Sequence, residues 1–153
     1  RRMKRHEAFI PLSKEHHKIL MVAQLLKLDA PKYPNLPNDL LGKIKYAMEV
    51  YGNTLKPHMT FEEEQLYPIV LGVHAEVDQQ IYMLQDDHTE IDNLFQKIQG
   101  EANQAWLMDE LGKLIEQHVR QEERELFELL QKHASEDLLK EITDRATAYT
   151  HAQ

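Results

Sequence analysis

The sequence predicts an all-α protein, folded as an antiparallel up-down four-helix bundle with a short C-terminal tail helix. Only five Gly and six Pro interrupt 153 residues, and three of the Pro fall in one loop, DAPKYPNLPN (29–38). Elsewhere apolar residues recur at helical spacing, and strand-like alternation is absent. The length favours a single domain over 1–153, with the bundle at about 12–132 and the tail helix at about 135–148.

The first two helices flank that loop. Apolar residues at helical spacing predict the first helix, with Ser13 as its N-cap. After the loop, Asn38 is expected to cap a long second helix that ends near Pro68. Pro57 lies inside this helix and is expected to kink it, because proline removes a backbone hydrogen-bond donor.

Two further long helices and the tail complete the predicted bundle. A third helix covers about 77–98 and ends at Gly100, and a fourth covers about 107–130. Ser135 is expected to cap the tail helix, which runs to about Ala148 and packs across one end of the bundle.

Composition excludes several classes of function. The 18 Lys and Arg against 26 Asp and Glu give a net charge of −8, whereas a general nucleic-acid binder needs a basic face. The absence of Cys excludes disulfides, iron–sulfur clusters and thiolate zinc sites. No apolar run could span a membrane, and none follows the basic opening RRMKRH as in a signal peptide. We expect a cytoplasmic protein without nucleic-acid or membrane partners. Arg1 and Arg2 precede Met3 and carry no prediction about targeting.

Six polar residues interrupt the apolar faces of the four helices. Each helix carries a His where the spacing expects a core residue, and the second and fourth carry a Glu four residues later. The six residues are His16, His58, Glu62, His88, His118 and Glu122. Residues four apart share a helix face, so each Glu points the same way as the His before it. An ionised Glu facing a core is unfavourable unless a charge or a metal compensates it.

The second and fourth helices also repeat one motif. HMTFEEEQLYPIV (58–70) matches HVRQEERELFELL (118–130) at a constant offset of 60 residues. A pseudo-twofold bundle would bring two His/Glu/His sets to one midpoint. This arrangement predicts a site for two metal ions, with Glu62 and Glu122 placed to bridge them.

Several neighbouring residues leave alternatives open. His17 lies about 100° around the helix from His16, and His16 fits the apolar face better. Glu63 and Glu123 are either partners of the ligands or solvated acids, and Asp92 is a ligand, a partner of a ligand's ring N–H or a surface acid. Imidazole with carboxylate suits iron, zinc, copper or manganese, although six candidate ligands exceed what one zinc needs.

The order H, HxxxE, H, HxxxE resembles the hemerythrin-like proteins, specifically their H–HxxxE–H–HxxxE branch. The resemblance covers about Leu12 to Leu130 and includes the EE-x-x-(L/F)-(Y/F) run after each HxxxE. It implies a four-helix bundle that holds two iron ions, bridged by oxo or hydroxo. It also implies work with a small ligand: dioxygen, peroxide or nitric oxide.

Two features depart from the oxygen-carrying hemerythrins. Those proteins place two His four apart on the third helix, whereas the neighbours of His88 are Leu84 and Asp92. They also typically carry H-xxxx-D on the fourth helix, where this chain has Glu122. With four His, the resemblance implies exchangeable positions on both irons, which favours redox or sensing chemistry over reversible oxygen transport.

Three function classes follow. The first is a redox protein of oxidative-stress chemistry, with catalase-like peroxide disproportionation as its candidate activity. The second is a sensing or storage module for oxygen, nitric oxide or iron that does not turn over. The third is a metal-free helical interaction protein, in which replacing Glu62 with Leu would stabilise the fold. No catalytic residue is assigned beyond the metal ligands, and the protein partner is unknown.

Overall fold

The chain is all-helical, as predicted. The computed structural model describes residues 3–100 and 102–153, and within these residues it contains five long helices and no strand. Arg1 and Arg2 lie outside them. The helices are α1 (Ile10–Leu26), α2 (residues 40–70), α3 (Ala75–Lys97), α4 (residues 104–133) and α5 (Glu136–His151), with a 3-10 helix, Glu7–Phe9, before α1. None of the described helices is long and apolar enough to cross a bilayer.

The long helices α2 and α4 are each interrupted by π turns. Helix α2 joins the α-helical segments Leu40–Val50, Lys56–Phe61 and Tyr67–Val70 through π turns at Tyr51–Leu55 and Glu62–Leu66. Helix α4 joins Gln104–Gln121 and Phe127–His133 through a π turn at Glu122–Leu126. Two of these turns begin at Glu62 and Glu122, so they preserve the 60-residue offset of the sequence repeat. Isolated π turns within α-helices are frequent at functional sites.

Two predicted helix caps are wrong. Ser13 lies inside α1, because the chain enters the helix directly from the 3-10 helix, with Pro11 in the first turn. Proline is tolerated there, since the first N–H groups of a helix have no intrahelical partner. Asp39 rather than Asn38 caps α2, and its carboxylate accepts a hydrogen bond from the backbone N–H of Gly42 at 3.0 Å.

The remaining boundaries are close to those predicted. Helix α2 continues through Pro57, which lies in the first turn after the π turn Tyr51–Leu55. A wider turn before proline relieves the clash of its ring with the carbonyl four residues earlier. Helix α3 ends at Lys97, three residues before Gly100. Ser135 caps α5 as predicted, and the helix extends past Ala148 to His151.

The core consists of two apolar clusters. The first contains buried residues of α1 to α4, within 19–26, 44–59, 91–98 and 108–119. The second contains the 3-10 helix, Leu12 and buried residues within 61–70, 77–84, 126–130 and 139–146. On each of α1 to α4, the predicted metal-binding residues fall at the boundary between the two clusters. They therefore form a polar layer within an otherwise apolar core.

Helix α1 is central to the packing. It contacts α4, α2 and α5, while α3 packs against α4, and α5 also covers the 3-10 helix. Gly112 allows α1 and α4 to approach closely, because a Cβ at this position would lie 2.5 Å from the carbonyl oxygen of Ala23. This close packing brings the polar faces of the helices together.

Candidate metal centre

The structure brings all six predicted residues together in the buried layer. Glu62 and Glu122 have no exposed surface, and the four His are 2–5% exposed. His16 is the buried member of its pair, whereas His17 is exposed. Burying two carboxylates without solvent is unfavourable unless cations or protons compensate their charge.

The six side chains form two matching groups. His16 and His58 meet Glu122 in one group, and His88 and His118 meet Glu62 in the other; the ligand-type atoms of each group lie within 4.8 Å of one another. His16 Nε2 is 3.0 Å from Glu122 Oε1, and His88 Nε2 is 3.2 Å from Glu62 Oε1. The second carboxylate oxygen of Glu62 lies 3.4 Å from His58 Nε2, so Glu62 faces both groups.

The Nε2 atoms face the centre, and the other ring nitrogen of each His, Nδ1, hydrogen-bonds to a carboxylate on a neighbouring helix. The Nδ1 contacts are His16 to Glu123 (2.6 Å), His58 to Glu15 (2.9 Å), His88 to Glu63 (2.7 Å) and His118 to Asp87 (3.0 Å). A carboxylate only accepts hydrogen bonds, so Nδ1 carries the proton and donates it. When such a ring is neutral, its Nε2 lone pair is directed at the centre. Carboxylates in this outer position orient metal-binding His and raise their basicity.

Two of these four acids were not predicted from the sequence. Glu15 and Asp87 directly precede His16 and His88, and they share the 72-residue spacing of those two His. That repeated spacing is the signal that could have identified them. Asp92 has a different role, because it accepts hydrogen bonds from the Tyr51 hydroxyl and the Lys56 ammonium group instead of partnering His88.

Six of the atoms that face the centre are buried without hydrogen bonds. They are Nε2 of His16, His88 and His118, both carboxylate oxygens of Glu62, and Oε1 of Glu122. Buried polar atoms nearly always have a partner. Carboxylate oxygens and the ring nitrogens of neutral His converge here, and cations between them would satisfy these atoms. The donor set therefore fits bound metal ions.

The carboxylates also control protonation at the centre. Burial lowers the pKa of His58, but the charge of Glu62 and contacts with Glu122 and Glu15 raise it well above its usual value. Burial likewise opposes the contacts of His88 with Glu62 and Glu63, which raise its pKa to about 9. The pKa of Glu122 is held well below its usual range by its neighbours despite burial. Metal ions that bind here must displace the His protons.

The comparison with known families agrees with this geometry. The hemerythrin HHE cation-binding domain matches residues 8–130, a range that contains the six central residues and their four acidic partners. No curated protein and no solved structure matches the chain significantly. The chain belongs to the hemerythrin HHE cation-binding domain family.

Proposed function

We propose that the protein binds two iron ions and uses them in redox chemistry on dioxygen, peroxide or nitric oxide. The observation that carries the proposal is the pair of matching His/His/Glu groups, in which six buried atoms lack hydrogen-bond partners. We also propose that α1 to α4 form the antiparallel four-helix bundle expected from the sequence. The chain would be a single domain that works in the cytoplasm. Contacts of α1 with α2 and α4, and of α3 with α4, support the bundle.

The proposed ligands divide between two ions. His16, His58 and Glu122 would hold one ion, and Glu62, His88 and His118 would hold the other. Glu62 and Glu122 are the proposed bridges, and the contact of Glu62 with both groups supports this for one of them. Iron is favoured chiefly by the match to the hemerythrin family, and in part because six nitrogen and oxygen donors exceed the four that one structural zinc takes.

The protein would supply a shielded, oriented environment for these ions. When bound, the irons would supply the change in oxidation state. Ile19, Leu55, Ile91 and Ile115 are buried beside the polar layer and would exclude bulk water and larger substrates. The buried Tyr67 hydroxyl donates a hydrogen bond to Oε2 of Glu122 at 3.3 Å. Burial and the neighbouring carboxylates raise the pKa of Tyr67 well above its usual value, so it stays protonated and helps to orient Glu122.

Metal content is the first test. Elemental analysis of protein purified without chelator or added metal, together with its visible spectrum, should give about two irons per chain with near-ultraviolet oxo-bridge bands. His16→Ala should lose iron, whereas His17→Ala is a matched control that should keep it, since His17 is exposed. Zinc alone, or no metal after anaerobic ferrous reconstitution, would refute the redox proposal.

Peroxide turnover is the second test. If the iron-loaded protein disproportionates peroxide over many turnovers and His16→Ala does not, the centre is catalytic. Iron-loaded protein that consumes no more than one equivalent per centre would instead act as a binding or sensing module.

A further inference from the structure

We infer that the two proposed metal positions are unequal: the His16/His58/Glu122 position is clamped by chain segments outside α1 to α4, and metal ions enter and leave at the Glu62/His88/His118 position. The inference rests on the proposed function. It concerns how the protein loads its metal, and it depends on what covers the four acids that orient the His.

Both acids of the clamped position are held from outside the four helices. The Tyr149 hydroxyl of α5 lies 3.0 Å from each carboxylate oxygen of Glu15, the partner of His58. Arg5, in the segment before α1, lies 3.3 Å from the carboxylate of Glu123, the partner of His16. Arg5 also donates to the backbone carbonyl of Glu123 at 2.8 Å. Two segments far apart in the sequence thus fix the outer partners of one metal position.

The acids of the other position are less constrained. Within the described part of the chain, Asp87 hydrogen-bonds only to His118, and Glu63 adds only a 3.3 Å contact from the Gln85 amide to its contact with His88. The side chains of Glu63 and Asp87 are 36% and 30% exposed, against 18% for Glu15 and 22% for Glu123. Neither residues 3–9 before α1 nor α5 hydrogen-bonds to this pair.

The surface grooves show the same asymmetry. A groove of about 400 Å³ between α2 and α3 is lined by both Glu63 and His88, so it reaches a proposed ligand directly. A larger groove of about 700 Å³ beside α5 is lined by Phe61 and Tyr149 but by none of the six proposed ligands or their four acids. The rings of Phe61 and Tyr149 stack with centroids 4.7 Å apart, and they form the wall of this groove next to the clamped position.

Release of iron to a chelator tests the inference. Protein loaded anaerobically with two Fe²⁺ is mixed with excess chromogenic Fe²⁺ chelator, and absorbance is followed over time. We expect two phases of one ion each, the fast phase from the Glu62/His88/His118 position. Glu15→Gln should accelerate the slow phase about 10–100-fold, because losing an outer partner of a ligating His usually lowers metal affinity by that factor. Tyr149→Phe should accelerate the same phase by less.

Matched variants assign the phases. Asp87→Asn, the counterpart of Glu15→Gln, should accelerate only the fast phase. Tyr51→Phe removes a similar hydrogen bond from a tyrosine to a carboxylate, at Asp92, and should change neither phase. Circular dichroism checks that each variant is folded. If Tyr149→Phe leaves the slow phase unchanged while Glu15→Gln accelerates it, the clamp by α5 is refuted.

The outcomes separate the inference from the function on which it rests. Protein that takes up no iron refutes the proposed function. Two ions that leave in a single phase from every folded variant refute the inequality of the positions and leave the di-iron proposal intact. Acceleration of the fast phase by Glu15→Gln, or of the slow phase by Asp87→Asn, would reverse the assignment and overturn the inference.

Discussion

Replacing Glu62 with Leu should cost stability only when metal is bound. Glu62 is fully buried, and neither carboxylate oxygen has a hydrogen bond. One unsatisfied buried acceptor costs about 1–3 kcal/mol, and removing a buried charge in favour of an apolar side chain is often stabilising. The nearby rings of His58 and His88, at 3.4 and 3.2 Å, offset part of this cost. In chelated protein near pH 7, the gain of about 2 kcal/mol from removing this carboxylate is offset by the loss of its pairing with protonated His88, so Leu should change the free energy of unfolding by less than about 1 kcal/mol.

The same substitution should be strongly destabilising when metal is bound. A ligand at 100 times its dissociation constant stabilises the folded state by about 2.7 kcal/mol, so two ions would stabilise the wild type by about 5 kcal/mol. Glu62→Leu removes a proposed bridge between the ions. If the variant binds neither ion, it should be about 5 kcal/mol less stable than the metal-loaded wild type.

Urea denaturation followed by circular dichroism measures both effects. Each protein is unfolded with chelator and, anaerobically, with saturating Fe²⁺. Glu64→Leu is the control, because Glu64 is exposed on the same π turn and should leave the metal effect unchanged. Equal stabilisation of the Glu62→Leu variant and the wild type by Fe²⁺ would show that Glu62 is not a bridge, and the argument would fail.

Three further predictions concern pH and packing. The raised pKa of His88, about 9 against 6.5, stabilises the folded state at low pH. The free energy of unfolding of chelated protein should therefore fall by about 3 kcal/mol as pH rises from 6.5 through 9, measured by urea denaturation. Ser135→Ala should cost about 1 kcal/mol through loss of the α5 cap, with unchanged iron content by elemental analysis. Gly112→Ala should cost about 1–3 kcal/mol in the same denaturation assay, because its Cβ would meet the Ala23 carbonyl.

A specific result would contradict each of these three predictions. Stability that rises with pH in the chelated protein would contradict the raised pKa of His88. Loss of iron from Ser135→Ala would show that α5 supports the centre more directly than its cap suggests. Gly52→Ala is the control for packing, since open space surrounds Gly52, and an equal loss in both glycine variants would rule out the close contact at Ala23 as the cause.

Helical periodicity made much of this protein predictable. The apolar spacing of α1 to α4 and the proline-rich loop located the long helices, because both patterns are local. The six polar interruptions predicted which residues the structure brings together, since a His or Glu on a core-facing position needs a partner where the helices meet. The repeat at an offset of 60 residues then paired Glu62 with Glu122 before any contact was known.

Other features depend on contacts that spacing does not contain. The π turns change the direction in which the following side chains of α2 and α4 point. Regular α-helical spacing in the sequence cannot predict such turns. Glu15 looks like a solvent-facing acid in the sequence, and its role appears only once α1 packs beside His58 and Tyr149. Ser13 resembles an N-cap, yet its hydroxyl donates to Glu123 across the interface with α4.

The four His–carboxylate pairs link α1 to α4 in a closed ring, which we call the circuit. Helix α1 reaches α4 through His16, α4 reaches α3 through His118, α3 reaches α2 through His88, and α2 returns to α1 through His58. A helix that slid along its axis by one turn, about 5.4 Å, would break two pairs at once. The circuit thus sets the axial register of all four helices independently of the metal. We expect iron to enter a folded protein whose donors already face one another, unlike small zinc domains that fold only when the metal binds.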